Sequence, residues 1–402
     1  MRRSAIRRLA TFLPLATPYP WGFPYMRVAL VTEFYYPHLG GVTEHVHNLA
    51  RTLIQSGHHA IIITSHMGEP SGGHELGVDQ DPSYVYRIGT SRVIYSYGSF
   101  ARVTTGHGLR RRIRNILRRE QIDLVHVHGG LNPVLGLVAP DAAGDLDIPV
   151  VATFHSWFHR SALCRIFRRP LQKRLDRHAA VIAVSQPVVE AHARYFEADW
   201  RIIPNGVDTS FFRPDGSDRP STSDSEPELL FLGRLDPRNG LDTVLSAMPA
   251  VLEQFPEVRL TIAGDGPLRR LYQRLAAPVG RHVSFIGSVN GNRPVFYSRA
   301  DLYLCPTTKA SFGITLLEAM ACATPMVVSD ITGFRELVSG GDEAVLVPKN
   351  DSGAWAETIV ALLHDDRRRE RMGSAGLSKA ERFAWPRVAA DVTAVYRSVL
   401  GC

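Results

Sequence analysis

Cysteine, lysine and long hydrophobic stretches are scarce in this sequence. The 402 residues contain four cysteines, at positions 164, 305, 322 and 402, and no two of them have the C-x-x-C spacing of a metal site. Four such cysteines do not build a disulfide framework, so free thiols in a reducing cytosol are expected. No uninterrupted apolar run reaches about 18 residues, and the sequence therefore predicts no membrane-spanning helix.

The positive charge comes almost entirely from arginine. Lys and Arg total 46 against 39 Asp and Glu, a formal charge of +7, and only four of the 46 are lysines. Seven arginines and no acid lie between Arg102 and Arg119, and seven bases with one acid lie between Arg160 and Arg177. These clusters are either solvated helix faces or surfaces that attract anionic lipid or phosphate. No helix-turn-helix, RNA-recognition or zinc-finger signature accompanies them, so nucleic acid is not an expected partner.

Residues 1–25 form a basic, proline-rich extension. Pro14, Pro18, Pro20 and Pro24 interrupt any helix. No small-residue cleavage site follows a continuous apolar core, so a signal peptide is not expected. Either Met26 is the true initiator, which we slightly prefer, or the extension is a short interfacial tail.

From Met26 onward, strand and helix patterns alternate. An apolar run at 27–32 precedes a helix pattern whose apolar positions recur from 42 to 54, and a second apolar run follows at 60–64. This β-α-β succession, with consecutive apolar residues in each strand, is typical of a parallel sheet covered on both faces. Further apolar runs at 123–127, 149–153 and 180–184 continue the pattern.

A polar, Pro- and Ser-rich segment at 213–227 precedes a second series of the same kind. Two Rossmann-like, doubly wound α/β domains, joined near residue 204, would direct the carboxyl ends of their strands toward a central cleft where a ligand binds. The second series predicts strands at 229–233, 258–264, 283–287, 301–306 and 326–329, with helices from 241 and at 313–322.

Three glycine-containing turns lie at predicted strand ends: Gly40-Gly41, Gly264-Asp265-Gly266 and the segment 310–313. Each is explained by turn geometry alone. Together, at equivalent edges of two sheets, they favour a phosphate-containing ligand, because backbone amides at a helix N-terminus bind anions.

Three polar side chains are candidates for this cleft. Glu318 lies in an otherwise apolar helix, where it needs a partner such as a backbone donor or a ribose diol. Arg234 follows a strand directly and can hold a diphosphate, although it is also one of 42 arginines. His155 lies at the end of another strand. A histidine at such a position is more often a buried, hydrogen-bonded structural residue than a ligand contact.

The ordered motifs resemble those of family-4 glycosyltransferases of the GT-B fold. The resemblance covers residues 26–400 and is strongest to phosphatidylinositol glycosyltransferases. The domains are then an acceptor-binding domain at 26–203, completed by a returning helix at 385–402, and a donor-binding domain at 204–384. The motifs are TEFYYPHLGGVTEHVHNLA (32–50), VHVH (125–128), TFHSW (153–157), AVSQ (183–186), IPNGVD (203–208), GRL (233–235), AGDGPL (263–268), SFGITLLEAM (311–320) and FAWPRVAADVTAVY (383–396).

This resemblance implies transfer of a hexose from a UDP- or GDP-sugar, with retention of anomeric configuration and without metal or other cofactor. The acceptor is a hydroxyl of a phosphatidylinositol-like lipid or of a glycan. The implied catalytic residues are His155 and Arg234, and the phosphate and acceptor loop contains Gly40, Gly41 and His45. The implied donor-binding residues are Gly233, Arg238, Gly264, Gly266, Phe312, Gly313, Ile314, Thr315 and Glu318.

Two positions depart from the family pattern at the donor sugar. Ala310 stands where the E-x7-E motif has its first glutamate, and Asn239 stands where a lysine is usual. Arg238 and Lys309 are neighbouring cations. A catalytically silent nucleotide-sugar-binding protein is therefore the main alternative, and a nucleotide-sugar epimerase ranks behind it.

A basic amphipathic helix is predicted from Arg110 to Arg119, with Ile113, Ile116 and Leu117 on one side. It either docks on an anionic leaflet or packs those residues on its own sheet, and packing is the stronger expectation. The expected location is cytoplasmic, with a peripheral position on the inner face of the plasma membrane as the further option. Acceptor recognition is expected in the loops at 66–82 and 89–106.

Overall fold

The computed structural model describes residues 25–38, 40–67, 82–96, 99–215, 226–338 and 341–402. Residues 1–24 of the extension, most of the 66–82 loop and most of the 213–227 segment lie outside this part of the chain. No helix among the described residues is both long and apolar enough to cross a lipid bilayer.

An eight-stranded sheet forms the first domain, with strand order β4-β3-β2-β1-β5-β6-β7-β8. All its pairs are parallel except β3–β4. The elements are β1 (Arg27–Thr32), α1 (Gly41–Gln55), β2 (His59–His66), β3 (Val85–Ser96), β4 (Ser99–Thr105), α2 (Leu109–Arg119), β5 (Leu124–His128), α3 (Leu135–Gly144), β6 (Val150–Phe154), α4 (Ala162–Ile166), α5 (Arg168–Leu175), β7 (Ala180–Ala183), α6 (Gln186–Ala193) and β8 (Trp200–Ile202).

The second domain is built on a six-stranded parallel sheet with strand order β11-β10-β9-β12-β13-β14. Short 3-10 helices lie at Pro237–Asn239, Ala277–His282, Asn290–Asn292 and Glu381–Phe383. The elements are β9 (Glu228–Leu232), α7 (Leu241–Gln254), β10 (Arg259–Ala263), α8 (Arg269–Leu275), β11 (Val283–Gly287), α9 (Arg293–Arg299), β12 (Leu302–Cys305), α10 (Ile314–Ala321), β13 (Met326–Ser329), α11 (Thr332–Arg335), β14 (Ala344–Val347), α12 (Ser352–Leu363) and α13 (Asp366–Ala380). The chain then returns to the first domain as α14 (Trp385–Leu400).

The central strands are apolar because both faces of each sheet are covered. In β1, Val28 and Leu30 pack into one core cluster, and Ala29 and Val31 pack into another on the opposite face. All four are fully buried. The prediction of two doubly wound α/β domains is confirmed by this architecture.

The last helix, α14, packs on α1 of the first domain. Trp385 lies over Gly206, where a Cβ atom would come within 2.7 Å of the indole ring. Tyr396 is fully buried, and its hydroxyl lies 2.7 Å from Nδ1 of His126 in β5. The end of the chain therefore completes the core of the domain in which the chain began.

The segment 89–106, expected to be an acceptor loop, is instead mostly regular structure. Strands β3 and β4 form an antiparallel hairpin at the edge of the sheet, paired from Thr90–Thr105 to Ser96–Ser99. The prediction missed it because arginine, serine and threonine break up the apolar pattern in an edge hairpin, which faces solvent on one side.

Candidate active site

Direct hydrogen bonds join the two domains at the carboxyl ends of their sheets. The backbone N–H of Trp157, just after β6, donates to Oγ of Ser311 at 2.8 Å, and Oγ of Ser185 donates to the Ser311 carbonyl at 2.8 Å. Farther along, the backbone N–H of Gln186 donates to the Glu336 carboxylate at 3.0 Å. The loops that follow β6 and β7 thus contact the loops around α10 across a shared cleft.

The glycine loop of the first domain contacts the helix N-terminus of the second. Gly41 begins α1, and a Cβ atom on it would lie 3.1 Å from Cδ1 of Ile314, the first residue of α10. Gly313 caps α10 with φ +103°, a conformation that glycine adopts without strain. Gly41 and the start of α10 therefore meet in the cleft, and Gly40 and Thr315 are the next residues of these two segments.

The two arginines that follow β9 are held by one carboxylate. Asp236 is largely buried and accepts a hydrogen bond from the backbone N–H of Arg238 at 3.0 Å. Its carboxylate lies 3.7 Å from the Arg238 guanidinium and 4.0 Å from that of Arg234. Asp236 therefore positions both cations at the edge of the second sheet.

Arg102 and the neutral His38 of the first domain lie near Arg234 of the second. Burial, together with the charges of Arg102 and Arg234, lowers the pKa of His38 to about 4. Burial and the charge of Arg234 also lower the pKa of Arg102. Arg102 comes from β4 and Arg234 follows β9, so both domains contribute positive charge to one region, which is suited to bound anions.

A small cavity of about 160 Å³ lies beside Arg234. Gly233, Asn239 and Thr315 are among its lining residues. The Asn239 side chain donates to the Arg234 carbonyl at 2.6 Å, so it stabilises the arginine loop. Lys309 lies over the Trp157 ring at 5.8 Å, and burial and the charge of Arg238 lower its pKa. Arg238 and Lys309 are thus cations next to the replaced positions 239 and 310 in the chain, and the charge of Arg238 reaches Lys309.

Four histidines of the first domain form a buried cluster at the base of the cleft. Nδ1 of His128 lies 3.2 Å from Nε2 of His155. His45 pairs with Oδ1 of Asn205 at 2.9 Å, and its ring packs against His155 with centroids 4.8 Å apart. Nδ1 of His126 lies 2.7 Å from the Tyr396 hydroxyl, and its Nε2 lies 2.7 Å from the Thr153 hydroxyl.

Burial lowers the pKa of His45 to about 4 and holds those of His126, His128 and His155 well below the usual value. The cluster is therefore neutral at physiological pH, and His155 is suited to hydrogen bonding rather than to ion pairing. His45, His128 and His155 also offer ring nitrogens within 4.8 Å of one another, so among the described residues this cluster is the candidate for holding a metal ion.

Glu318 is almost completely buried and has partners from two directions. Its carboxylate lies 3.1 Å from Nη1 of Arg293 and accepts a hydrogen bond from the Tyr297 hydroxyl at 3.1 Å. Arg293 also pairs with Glu44 of α1 at 3.3 Å, so one arginine links the two domains. Burial raises the pKa of Glu318 to about 7, although the Arg293 charge opposes this rise.

The remaining residues that were predicted to bind the donor support the backbone of the second domain. A Cβ atom on Gly264 would lie 1.9 Å from the Gly233 carbonyl oxygen, and one on Gly266 would lie 2.4 Å from that of Leu235. The side chain of Phe312 is buried in the core against Phe383. These glycines allow the loop after β10 to pack on the loop that carries Arg234, while Phe312 anchors the segment before α10.

Sequence reasoning did not find His38, Arg102 or Arg293. His38 lies between Pro37 and the predicted glycine turn, so its position in the loop was a usable signal. Arg102 was visible only as the first residue of the basic cluster 102–119, and Arg293 carried no signal, because their positions depend on the edge hairpin and on contacts between domains.

Known proteins resemble this chain along nearly its whole length. The family described as "Glycosyltransferase Family 4" matches residues 39–211, and "Glycosyl transferases group 1" matches residues 215–379. A phosphatidyl-myo-inositol mannosyltransferase of Mycobacterium tuberculosis is 33% identical over 390 residues, which cover 94% of this chain and 98% of that protein. The enzyme of the same name from Mycolicibacterium smegmatis is 32% identical over 383 residues, with 94% and 95% covered.

Solved structures show the same architecture at lower sequence identity. HepE of Anabaena, crystallised with UDP, superimposes with a TM-score of 0.73 at 19% identity, and the match covers 93% of this chain and all of HepE. The paired α/β domains, the ordered motifs and the full-length relatives lead to the same assignment. The chain belongs to the family-4 glycosyltransferases and is a hexosyltransferase of the GT-B fold.

Proposed function

We propose that the protein transfers a hexose from a UDP- or GDP-sugar to a hydroxyl of a phosphatidylinositol-like lipid, with retention at the anomeric carbon. The observation that carries this proposal is the cationic cleft, in which Arg102 of the first domain faces Arg234 of the second. A lipid glycosyl transfer brings together two anions, the diphosphate of the donor and the phosphodiester of the acceptor. The names of the mycobacterial relatives support the choice of acceptor.

The donor half of the cleft is proposed to hold the nucleotide diphosphate. Arg234 lines the same small cavity as Thr315 at the start of α10, and Asp236 holds Arg238 next to Arg234. The backbone amides of Gly313, Ile314 and Thr315 also favour an anion there. Negative charge grows on the diphosphate as its bond to the sugar breaks. Preorganised cations stabilise that charge in the transition state more than in the ground state.

The first domain is proposed to hold the acceptor. Arg102 and the neutral His38 are proposed to donate hydrogen bonds to the oxygens of its phosphodiester, and the 40–41 loop with His45 is proposed to border the same region. His155, kept neutral by burial, is proposed to hydrogen-bond the transferred sugar. Its bond to His128 fixes the direction in which its ring can donate or accept.

No metal ion is needed in this scheme. Arginine guanidiniums supply the positive charge that a divalent cation supplies in other phosphate sites. Nδ1 of His45 and Nδ1 of His128 have hydrogen-bonding roles within the cluster, toward Asn205 and His155 respectively, whereas Nε2 of each ring is buried and has no hydrogen-bond partner among the described residues. The chemistry is therefore assigned to side chains and to the N-terminus of α10.

The alternative of a silent nucleotide-sugar-binding protein rests on Ala310 and Asn239. An alanine at 310 offers no side-chain hydrogen bond to a donor hexose. The silent-protein alternative predicts that a sugar nucleotide binds without turnover, even when the correct acceptor is present. The epimerase alternative predicts conversion of the sugar nucleotide with no acceptor at all.

A donor screen distinguishes these functions. The protein is incubated with UDP- and GDP-sugars, with and without phosphatidylinositol, and release of nucleotide diphosphate is followed. Release that requires both one sugar nucleotide and the lipid supports the proposal. Binding of a sugar nucleotide without release of nucleotide diphosphate in every mixture supports the silent protein and overturns the proposed transferase.

A further inference from the structure

One lysine of the second domain, Lys309, lies at the cleft without an acidic partner. Its ammonium lies 5.8 Å from the centre of the Trp157 ring of the first domain, and among the described residues it forms no ion pair. Lys379, another half-buried lysine of the same domain, pairs with Glu343. A partly buried cation that lacks such a partner is suited to an anion supplied by a ligand.

The charge nearest to Lys309 is also positive. The backbone N–H and the hydroxyl of Thr308 donate to the Arg238 carbonyl at 2.8 and 3.0 Å, so this segment runs beside the arginine loop. Burial and the charge of Arg238 lower the pKa of Lys309. Asp236 is shared between Arg238 and Arg234 and is therefore committed to two guanidiniums already. This part of the cleft thus has more positive charge than its own carboxylate compensates.

The segment that carries Lys309 is fixed by contacts on both of its sides. Ser311 accepts hydrogen bonds from the Trp157 backbone and from the Ser185 hydroxyl of the first domain, both at 2.8 Å. A Cβ atom on Gly333 would lie 2.0 Å from the Ala310 carbonyl oxygen, so the backbone here is closely packed against the second domain. Lys309 is therefore presented at a defined point between the two domains.

This point lies next to the place proposed for the transferred sugar. Trp157, under the Lys309 ammonium, follows two residues after His155, which is proposed to hydrogen-bond that sugar. Thr307, two residues before Lys309, lines the small cavity beside Arg234, which is proposed to hold the diphosphate. The sugar joins the diphosphate to the acceptor during transfer, so Lys309 is placed to contact its substituents.

We propose that Lys309 binds a carboxylate of the transferred sugar, and that the donor is therefore a nucleoside diphosphate hexuronate rather than a neutral hexose. A carboxylate carries one negative charge, which matches the single ammonium, and a partly buried pair of this kind is stronger than a hydrogen bond to a hydroxyl. Ala310 is compatible with this donor, because a glutamate beside Lys309 would repel the substrate carboxylate. This inference rests on the proposed function, from which it takes the place of the sugar.

The carboxylate takes no part in the bond changes of the transfer. The bond from C1 of the sugar to the diphosphate oxygen breaks, and its electron pair stays on that oxygen. The acceptor oxygen forms the new bond to C1, and its proton passes to the leaving diphosphate. The carboxylate at C6 is carried over unchanged, so the product is a glycolipid with one more negative charge than the acceptor.

The test is calorimetric titration of the full chain with matched pairs of sugar nucleotides. UDP-glucuronic acid is compared with UDP-glucose, and GDP-mannuronic acid with GDP-mannose, because the members of each pair differ only at C6. UDP and GDP alone report contacts to the diphosphate. The variants are Lys309→Gln and Lys309→Arg, with Lys349→Gln as the matched control. Lys349 is an exposed lysine that follows the edge strand β14, and circular dichroism verifies that each variant is folded.

We expect the parent protein to bind the hexuronate of one pair at least about tenfold more tightly than the matching hexose. Lys309→Gln should abolish this preference and leave the affinity for the hexose unchanged, whereas Lys309→Arg and Lys349→Gln should retain it. An equal loss of affinity for nucleotide, hexose and hexuronate in Lys309→Gln assigns the lysine to the diphosphate and overturns the proposal. Equal affinity of the parent protein for both members of each pair also overturns it, whether or not any variant folds.

Turnover with phosphatidylinositol separates this inference from the proposed function. If the parent protein prefers a hexuronate through Lys309 but releases no nucleotide diphosphate in the presence of the lipid, the hexuronate site stands and the lipid transfer fails. If it transfers a neutral hexose to the lipid and does not bind the hexuronate more tightly, the lipid transfer stands and the hexuronate site is overturned.

Discussion

Replacing Glu318 by glutamine should stabilise the protein at neutral pH while weakening donor binding. Glutamine has nearly the same shape as glutamate and keeps a side-chain oxygen that can accept the Tyr297 hydroxyl. Arg293 loses one carboxylate partner but retains Glu44 at 3.3 Å and the Phe212 ring at 5.3 Å. The change therefore removes a buried charge without leaving its counter-ion alone.

The size of the effect follows from the pKa of Glu318, which burial raises from 4.5 to about 7. A carboxyl whose pKa is higher in the folded protein stabilises that protein when protonated. This stabilisation is complete below about pH 4.5 and is lost as the pH rises through 7. At about 1.4 kcal/mol for each pKa unit, the ionised carboxylate lowers the free energy of unfolding by about 3 kcal/mol.

Glu318→Gln behaves as a permanently neutral side chain. Its free energy of unfolding should exceed that of the parent by about 3 kcal/mol above pH 7, and the two should converge toward pH 4.5. For a domain of this size, that difference raises Tm by about 6–12 °C. Thermal melts of both proteins between about pH 5 and pH 8 measure it.

Donor affinity should move in the opposite direction. A hydrogen bond from a ribose hydroxyl to a charged carboxylate is about 1.4 kcal/mol stronger than one to a neutral amide oxygen. Loss of the carboxylate should therefore weaken donor binding about tenfold. Calorimetric titration with UDP- and GDP-sugars tests this. Glu343→Gln is the control, because Glu343 is a buried carboxylate of the same domain that pairs with Lys379, and its loss should leave donor affinity unchanged.

The opposite stability result would refute this reasoning. If Glu318→Gln melts at a lower temperature than the parent at every pH, the ion pair with Arg293 outweighs the burial of the charge. Glu318 is then a structural anchor between the domains. If the variant is more stable but binds the donor as the parent does, Glu318 has no contact with the ribose.

Four further predictions follow from the site. Arg234→Ala should lower kcat on the order of 10²-fold, and a near-normal rate in the diphosphate-release assay would remove it from the transition state. Gly264→Ala should unfold the donor loop, because its Cβ would lie 1.9 Å from a carbonyl oxygen; a Tm close to that of the parent would contradict the packing. Treatment with EDTA should leave turnover unchanged, whereas loss of activity restored by a divalent ion would make the histidine cluster a metal centre. Ala310→Glu combined with Asn239→Lys should raise turnover if a weak contact to the donor sugar limits the rate. An unchanged rate would show that the neighbouring cations Arg238 and Lys309 already supply the contact.

The sequence was most informative where periodicity reflects burial on two sides. The strands around β1 were predicted within one or two residues, because short runs of consecutive apolar residues are typical of strands that are covered on both faces. The β3–β4 hairpin was missed, because an edge hairpin does not need an uninterrupted apolar run.

Candidate site residues were predictable where a local motif places them at a strand end or helix start. His155, Arg234 and Gly313 are of this kind, and the structure brings them to one cleft. Arg293 is not, because its role depends on Glu44 and Glu318, which lie in different domains. No local pattern reports such a contact.

The return of α14 to the first domain has a consequence for the order in which the protein can become active during synthesis. Domains of a nascent chain generally fold as they emerge, N-terminal first. Here, however, His126 hydrogen-bonds Tyr396, which lies 270 residues later in the chain, and the His45 ring packs against Trp385. These contacts cannot form until α14 has been synthesised. The histidine cluster therefore reaches its final arrangement only after the second domain has been made. A chain that stops between the two domains lacks Trp385 and Tyr396, so the core of its first domain stays open and its histidine cluster stays incomplete.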